Sequence, residues 1–331
     1  MATAFEIADR FVDEACSISP LLSTQLGIPG SNHLWGNDLG LEGLDEKREL
    51  RDHYRSLLVP FLKGDLSNEV LAAQVMVGAF DEMDAEQESG DHFRDLRHMA
   101  SSFHRLRSIF DVMKTSNEED RDNVVARLTT IDRPLAQYRE RLADGISRGI
   151  VVADRQVRSV IEQARRMASD PASFEVIVER FAANGLADAD LETAVVSARA
   201  AIGEFGEWLA TGYLPHAANT DAAGREVYER AADRLVGLPI DSDEAYGWGW
   251  QEFARLQTEM ERVAAEIRPG AGVDAVKDYL ETDTEVTASG TDELVNFVKR
   301  TLRRAVEDLA GKHFDVPDEI REVTVSIAPP G

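Results

Sequence analysis

The residues whose types suggest metal chemistry are His92, Asp95, His98 and His104. Read as part of one helix over 91–113, the spacing of six sets each histidine about 240° around the axis from the last, so the three share no face. Asp95 and His98 can share one, yet a di-metal carboxylate bundle takes two Glu-x-x-His pairs and two further glutamates. These histidines therefore read as surface or core-edge residues. The acids Asp188, Asp190 and Glu192 lack the glycine and terminal glutamate of a calcium loop and read as favouring the amino end of a helix. The run Asp81, Glu82, Asp84, Glu86 and Glu88 reads as a solvated helix face, with divalent-ion binding as the alternative. The sequence holds no H-E-x-x-H, no G-x-S-x-G, no phosphate loop and no dinucleotide glycine pattern. A single cysteine, Cys16, excludes thiolate zinc clusters and an internal disulfide, and reads as a buried helical thiol. No catalytic residue and no metal ligand is assigned.

Tyr246-Gly247-Trp248-Gly249-Trp250 is the most unusual local sequence. Each glycine inside a helix costs roughly 0.8–1 kcal/mol relative to alanine, so something should approach the backbone there. Two readings stand: a neighbouring helix packs tightly, or Trp248, opposite Tyr246 and Trp250, lines a cleft.

The elements that must position these residues are helices almost throughout. Over 243–267, Tyr246, Trp250, Phe253, Leu256, Met260, Val263 and Ile267 recur at steps of three and four, the mark of one apolar helix stripe. Asp241 and Glu244 open it and Pro269-Gly270 stops it, so Phe253, Leu256, Met260 and Val263 are expected to be buried. A second helix runs from Thr291 to about Ala310. Others are expected at 3–17, 43–63, 68–88, 91–113, 117–130, 132–147, 154–169, 173–183, 191–212 and 222–236, begun in part by Ser67, Asp190 and a capping box of Ser116 with Glu119. Loops fall at 27–41, 212–221 and 268–273. Only Arg321–Ile327 alternates like a strand, with the short Ile150–Val152 as the other strand-like stretch, before the linker-like Ala328-Pro329-Pro330-Gly331. The fold class is all-α, a large multi-helix lobe (1–320, with sub-parts about 1–113, 114–212 and 213–320) followed by one short strand and linker (321–331).

Composition narrows the function classes. With 36 basic and 61 acidic residues the net charge is −25, and no long basic run is present. That leaves little electrostatic drive toward nucleic acid or anionic lipid. An apolar fraction of 43% fits a globular chain. The first apolar stretch carries Glu6, Asp9, Asp13 and Glu14 and does not read as a signal peptide, and no stretch has the ~18 uncharged apolar residues of a spanning helix. The expectation is a soluble cytoplasmic protein with neither nucleic-acid nor membrane partner.

The segment 224–260, GREVYERAADRLVGLPIDSDEAYGWGWQEFARLQTEM, resembles a stretch of the bacterial family labelled domain of unknown function 885. So do 310–331, AGKHFDVPDEIREVTVSIAPPG, and the opening FVDEACSISPLLSTQLGIPG. The resemblance implies a zinc-carboxypeptidase-like fold, a mainly helical two-lobed body around a deep groove. It also implies a metal motif similar to H-E-x-x-P-G-H-H downstream of Gly331. No zinc ligand or general base carries over onto this sequence, and the chain by itself is expected to hold no cofactor, zinc belonging to the full-length family protein. Gly224, Tyr228, Tyr246, Gly247 and Trp248 match recurrent family positions, and Tyr228, Tyr246 and Trp248 are the candidate groove residues. The expected role is the amino-terminal helical half, groove wall and lid, of a zinc metallopeptidase-like hydrolase, not catalytic alone. Its expected partners are the missing catalytic half and a peptide substrate, with self-association near Val323, Val325 and Ile327. The alternatives are a stand-alone helical peptide- or protein-binding module and a purely structural acidic bundle.

Overall fold

The computed structural model describes residues 2–327. Helix accounts for 72% of the chain, about twice the usual share. The α-helices in order are α1 (Ala4–Ile18), α2 (Pro20–Gln25), α3 (Leu41–Leu58), α4 (Asn68–Glu88), α5 (Ser102–Val112), α6 (Glu118–Thr129) and α7 (Asp132–Ser147). They continue with α8 (Asp154–Ser169), α9 (Ala172–Ala183), α10 (Ala189–Trp208), α11 (Arg225–Val236), α12 (Ser242–Ile267), α13 (Val273–Thr282) and α14 (Thr291–Leu309). Two compact units divide them, Met1–Ala223 and Gly224–Gly331.

In the first unit, α10 packs against α6, α7 and α8 around the main apolar core. Small residues set the closest of these approaches. A Cβ at Gly206 would lie 2.9 Å from the Ala164 methyl and one at Gly203 3.1 Å from that of Ala168, so α8 and α10 meet along a glycine–alanine seam. Phe103, Tyr138 and Phe205 stack at its side. A second core forms where α1, α3 and α4 meet, around Ile7, Tyr54, Leu58, Ala73 and Phe80.

Several local expectations change. The stretch 91–113 is not one helix: a 3-10 turn, Asp91–Arg94, and a loop precede α5. Left-handed Ala100 (φ 54°) and the Asp95 hydrogen bonds hold that loop, an arrangement helical periodicity cannot express. Asn117 rather than Ser116 caps α6, and Asp188 rather than Asp190 caps α10. The continuation of α10 is a π-helical turn, Leu209–Tyr213. Asp84 is not on a solvated face, since Arg51 and Arg55 from α3 grip it. Burial alone would raise its pKa, yet those two guanidinium hydrogen bonds outweigh burial and hold it below the usual carboxylate range.

The carboxy-terminal strand does not form: residues 321–327 are irregular, with Val323 and Ile327 exposed. Alternation supplies a face but no partner, and an unpaired strand leaves its backbone groups to water. No strand occurs among the described residues, though Ala153 with Ala218 and Ala310 with Phe314 form isolated bridges. Ala328-Pro329-Pro330-Gly331 lies outside the described residues. No described helix is long and apolar enough to cross a membrane.

In the second unit, the expected burial of Phe253, Leu256, Met260 and Val263 is overturned: they are 59%, 46%, 48% and 38% exposed. Among the described residues of this unit only Ala264 and Val276 are buried. The stripe is amphipathic as read, but periodicity creates an apolar face without creating its cover. An apolar groove of about 250 Å³ separates α12 from α13, lined by Met260, Val263, Ala264, Ile267, Val273 and Val276.

Candidate functional site

Of the histidines expected at a surface or core edge, His92 stands apart, while His98 and His104 are joined through Gln163. His92 packs against Phe93, ring centres 3.9 Å apart and planes tilted by 43°, and its buried Nδ1 has no hydrogen-bond partner. Burial, then the nearby Arg141 and Arg148 charges, lowers its pKa. His98 donates its backbone N–H to Gln156 Oε1 at 2.9 Å, and its Nδ1 meets the same oxygen. His104 Nδ1 accepts from the Ser101 N–H at 3.3 Å, which caps α5 and leaves the ring proton on Nε2, facing Gln163 Oε1 at 3.1 Å. Gln163 in turn donates to the His98 carbonyl at 2.9 Å. Burial lowers the His104 pKa, with the Gln163 bond opposing. The three rings thus serve packing and loop anchoring. No group of three or more His, Cys, Asp or Glu side chains among the described residues is placed to hold a metal ion, so the residues present do not fit a zinc site.

Asp95 is a structural hub. Its carboxylate accepts from the Ser102 hydroxyl and pairs with Arg97, Arg105 and Arg141, while its carbonyl accepts from the Tyr138 hydroxyl. Burial pushes the Tyr138 hydroxyl up, further from neutrality, and the Arg141 guanidinium down. Arg127 is a second buried centre, fully enclosed and bound to backbone oxygens. Burial lowers its pKa to about 10, against the pull of Asp38. A legible signal existed for both arginines. Val124, Arg127, Leu128 and Ile131, like Tyr138, Arg141, Leu142 and Gly145, fall at i, i+3, i+4 and i+7, so each arginine sits within an apolar stripe.

The candidate groove residues lie in the second unit, all open to solvent: Tyr228 on α11, Tyr246 and Trp248 on α12, at 55%, 69% and 65% exposure. Arg225 braces the start of α12 through Ser242 Oγ at 2.7 Å and Asp243 Oδ1 at 2.8 Å, and Ser242 donates to Glu229 at 2.6 Å. Among the described residues no ring contact joins Tyr228 to Tyr246 or Trp248. Tyr246, Trp250 and Phe253 instead form an edge-to-face ladder, centres 6.1 and 5.7 Å apart. Trp248 stands about 160° round the helix from Trp250. Gly247 and Gly249 have no neighbouring atom within 4 Å of an added Cβ, so the tight-packing reading of these glycines is not met. They leave open space on both sides of the Trp248 backbone.

A family model described as bacterial protein of unknown function, DUF885, matches residues 20–331. A search of the curated proteins matched none of them. Among solved structures, the chain is similar to the crystal structure of a candidate lipoprotein from Colwellia psychrerythraea, with a TM-score of 0.71 and 13% identity. The match covers 94% of this chain and 60% of that one. At that identity the likeness speaks for the fold alone, and the chain spans 60% of the length of the structure it matches.

Proposed function

The chain belongs to the DUF885 family of bacterial proteins of unknown function, and we propose that it is the helical, groove-forming part of a larger zinc-carboxypeptidase-like hydrolase. The observation that carries the reading is the uncovered face of α12. An apolar ladder from Tyr246 to Ile267 runs the length of a 26-residue helix with one buried residue, Ala264. A face of that size on a helix asks for a second body or an extended ligand. The partial coverage of the solved neighbour supports the same view. In this proposal Tyr228, Tyr246 and Trp248 are the peptide-contact residues, Tyr246 on the apolar face of α12 and Trp248 on the face opposite it. The zinc, its ligands and the general base belong to a catalytic half outside these residues. Zinc held there would lower the pKa of a bound water, while these helices bind and orient the peptide.

The experiment compares this chain with a form extended by the codons that follow Gly331. Equilibrium dialysis against zinc and a carboxypeptidase assay on blocked dipeptides should give one zinc and turnover for the longer form and neither for the chain alone. A longer form without zinc or turnover defeats the proposal. The exposed Trp248 favours one second reading, a helical peptide- or protein-binding module, which predicts binding without turnover in either form.

A further inference from the structure

Trp248 is out of place on its own helix. Tyr246, Trp250 and Phe253 occupy the apolar side of α12, whereas Trp248 falls on the charged side, one turn after Glu244 and one turn before Glu252. Residues four apart on a helix stand roughly 6 Å apart at Cβ, so a carboxylate flanks the indole along the axis at either end. Gly247 and Gly249 put no side chain beside it. Between Leu235 and Ala254 the sequence has four acids, Asp241, Asp243, Glu244 and Glu252, and no Lys, Arg or His. Asp241 is committed to capping α12 and Asp243 to Arg225. Glu244 carries no ion pair among the described residues. Glu252 already accepts a guanidinium, that of the exposed Arg255, in a two-point fork of Nε to Oε2 at 2.8 Å and Nη2 to Oε1 at 2.6 Å, which an incoming arginine has to displace or share.

We propose that Trp248, Glu244 and Glu252 form a cradle for the guanidinium of an arginine-bearing peptide. A planar guanidinium stacks on the indole face and directs its forked N–H donors to carboxylates, which an apolar or acidic residue cannot do. The charge balance of the segment selects the same partner. This rests on the reading of α12 as a peptide-binding helix and names the side chain that its charged face accepts. Each contact at an exposed site is weak, so the cradle selects a side chain within a longer peptide rather than capturing free arginine.

The test titrates the full chain, ¹⁵N-labelled, with acetyl-Arg-Arg-Arg-amide at low salt and follows the four indole N–H signals. Trp248→Phe identifies its signal by loss. The expected result is a saturable shift of the Trp248 signal that fades as salt is raised, with no comparable shift from the triglycine or triglutamate peptide. Glu244→Gln with Glu252→Gln, and separately Trp248→Phe read by calorimetry, should each weaken binding about two- to fivefold. Glu244 and Trp248 are exposed and Glu252 half-buried, and unchanged circular dichroism confirms the variants are folded. A Trp248 signal that ignores the arginine peptide, or shifts equally with triglycine, or binds undiminished in the double glutamine variant, overturns the cradle. Zinc and turnover play no part in this readout, so its failure and that of the hydrolase reading are distinguishable.

Discussion

Replacing Arg127 by Met tests whether a buried cation without a carboxylate partner holds the 19–40 segment onto the first unit. Its Nε and Nη2 donate to the Leu34 carbonyl at 3.0 and 2.9 Å, and Nη2 also reaches Pro20 O at 3.2 Å and Thr24 Oγ1 at 2.8 Å. The guanidinium lies 5.5 Å from the Trp35 ring centre. Methionine keeps most of the apolar stem but no donor. Pro20 O retains the Thr24 hydroxyl at 3.0 Å, whereas Leu34 O loses both side-chain donors, a cost of about 1–3 kcal/mol for a buried unpaired group. The lost charge-assisted bond to Thr24 and the lost contact with Trp35 add to this, and relief of the buried charge subtracts. The expected net loss is about 3 kcal/mol, a large part of a typical folding free energy. Urea unfolding followed by tryptophan fluorescence reads it, and limited proteolysis should show faster cutting within 27–40. Arg127→Lys should not rescue, because one ammonium cannot replace a fork that reaches Leu34 and Thr24 together. A methionine variant as stable as the parent would show that desolvation of the guanidinium cancels its bonds, and the anchoring argument would fall.

Three further outcomes follow from the same geometry. Phe253→Ser, on the exposed α12 ladder, should leave stability within roughly 0.5 kcal/mol of the parent, whereas Phe181→Ala in the first core should cost about 3–5 kcal/mol in the same urea titration. Asp84→Asn strips Arg51 and Arg55 of their shared carboxylate and should cost about 3 kcal/mol at pH 7; because the folded pKa is lowered, the difference should shrink as pH falls from about 3.8 through that folded value. His92 and His104 have folded pKa values below the ordinary 6.5, so the unfolded chain binds more protons in that interval. Stability should fall as pH drops below about 6.5 and level off beneath the folded values. A His92→Phe, His104→Gln variant should flatten that slope in melts at pH 5 to 7.

Helix existence was determined by the sequence itself, because 3.6-residue periodicity and capping chemistry are local: Asp154–Ser169 falls where the apolar spacing puts it, and Asn68–Glu88 begins where Ser67 caps it. The all-α class, the absence of the searched catalytic motifs and the odd aromatic–glycine segment are equally local facts. The tertiary structure alone decided what each face meets. The stripe of α12 is as regular as that of α8, yet Val157, Val160, Ile161 and Ala164 are buried while Phe253 and Met260 are not. Burial depends on a second surface that no periodicity names. The strand pattern at 321–327 failed for the same reason, lacking a partner for its backbone. Arg127 and Arg141 gave a local anomaly, a charge inside an apolar stripe. Only the fold supplied what answered it: carbonyls about a hundred residues away for one, and Ser102 and the Asp95 carboxylate for the other. Trp248 shows both levels at once: spacing places it between two glutamates, and the structure leaves it open to solvent.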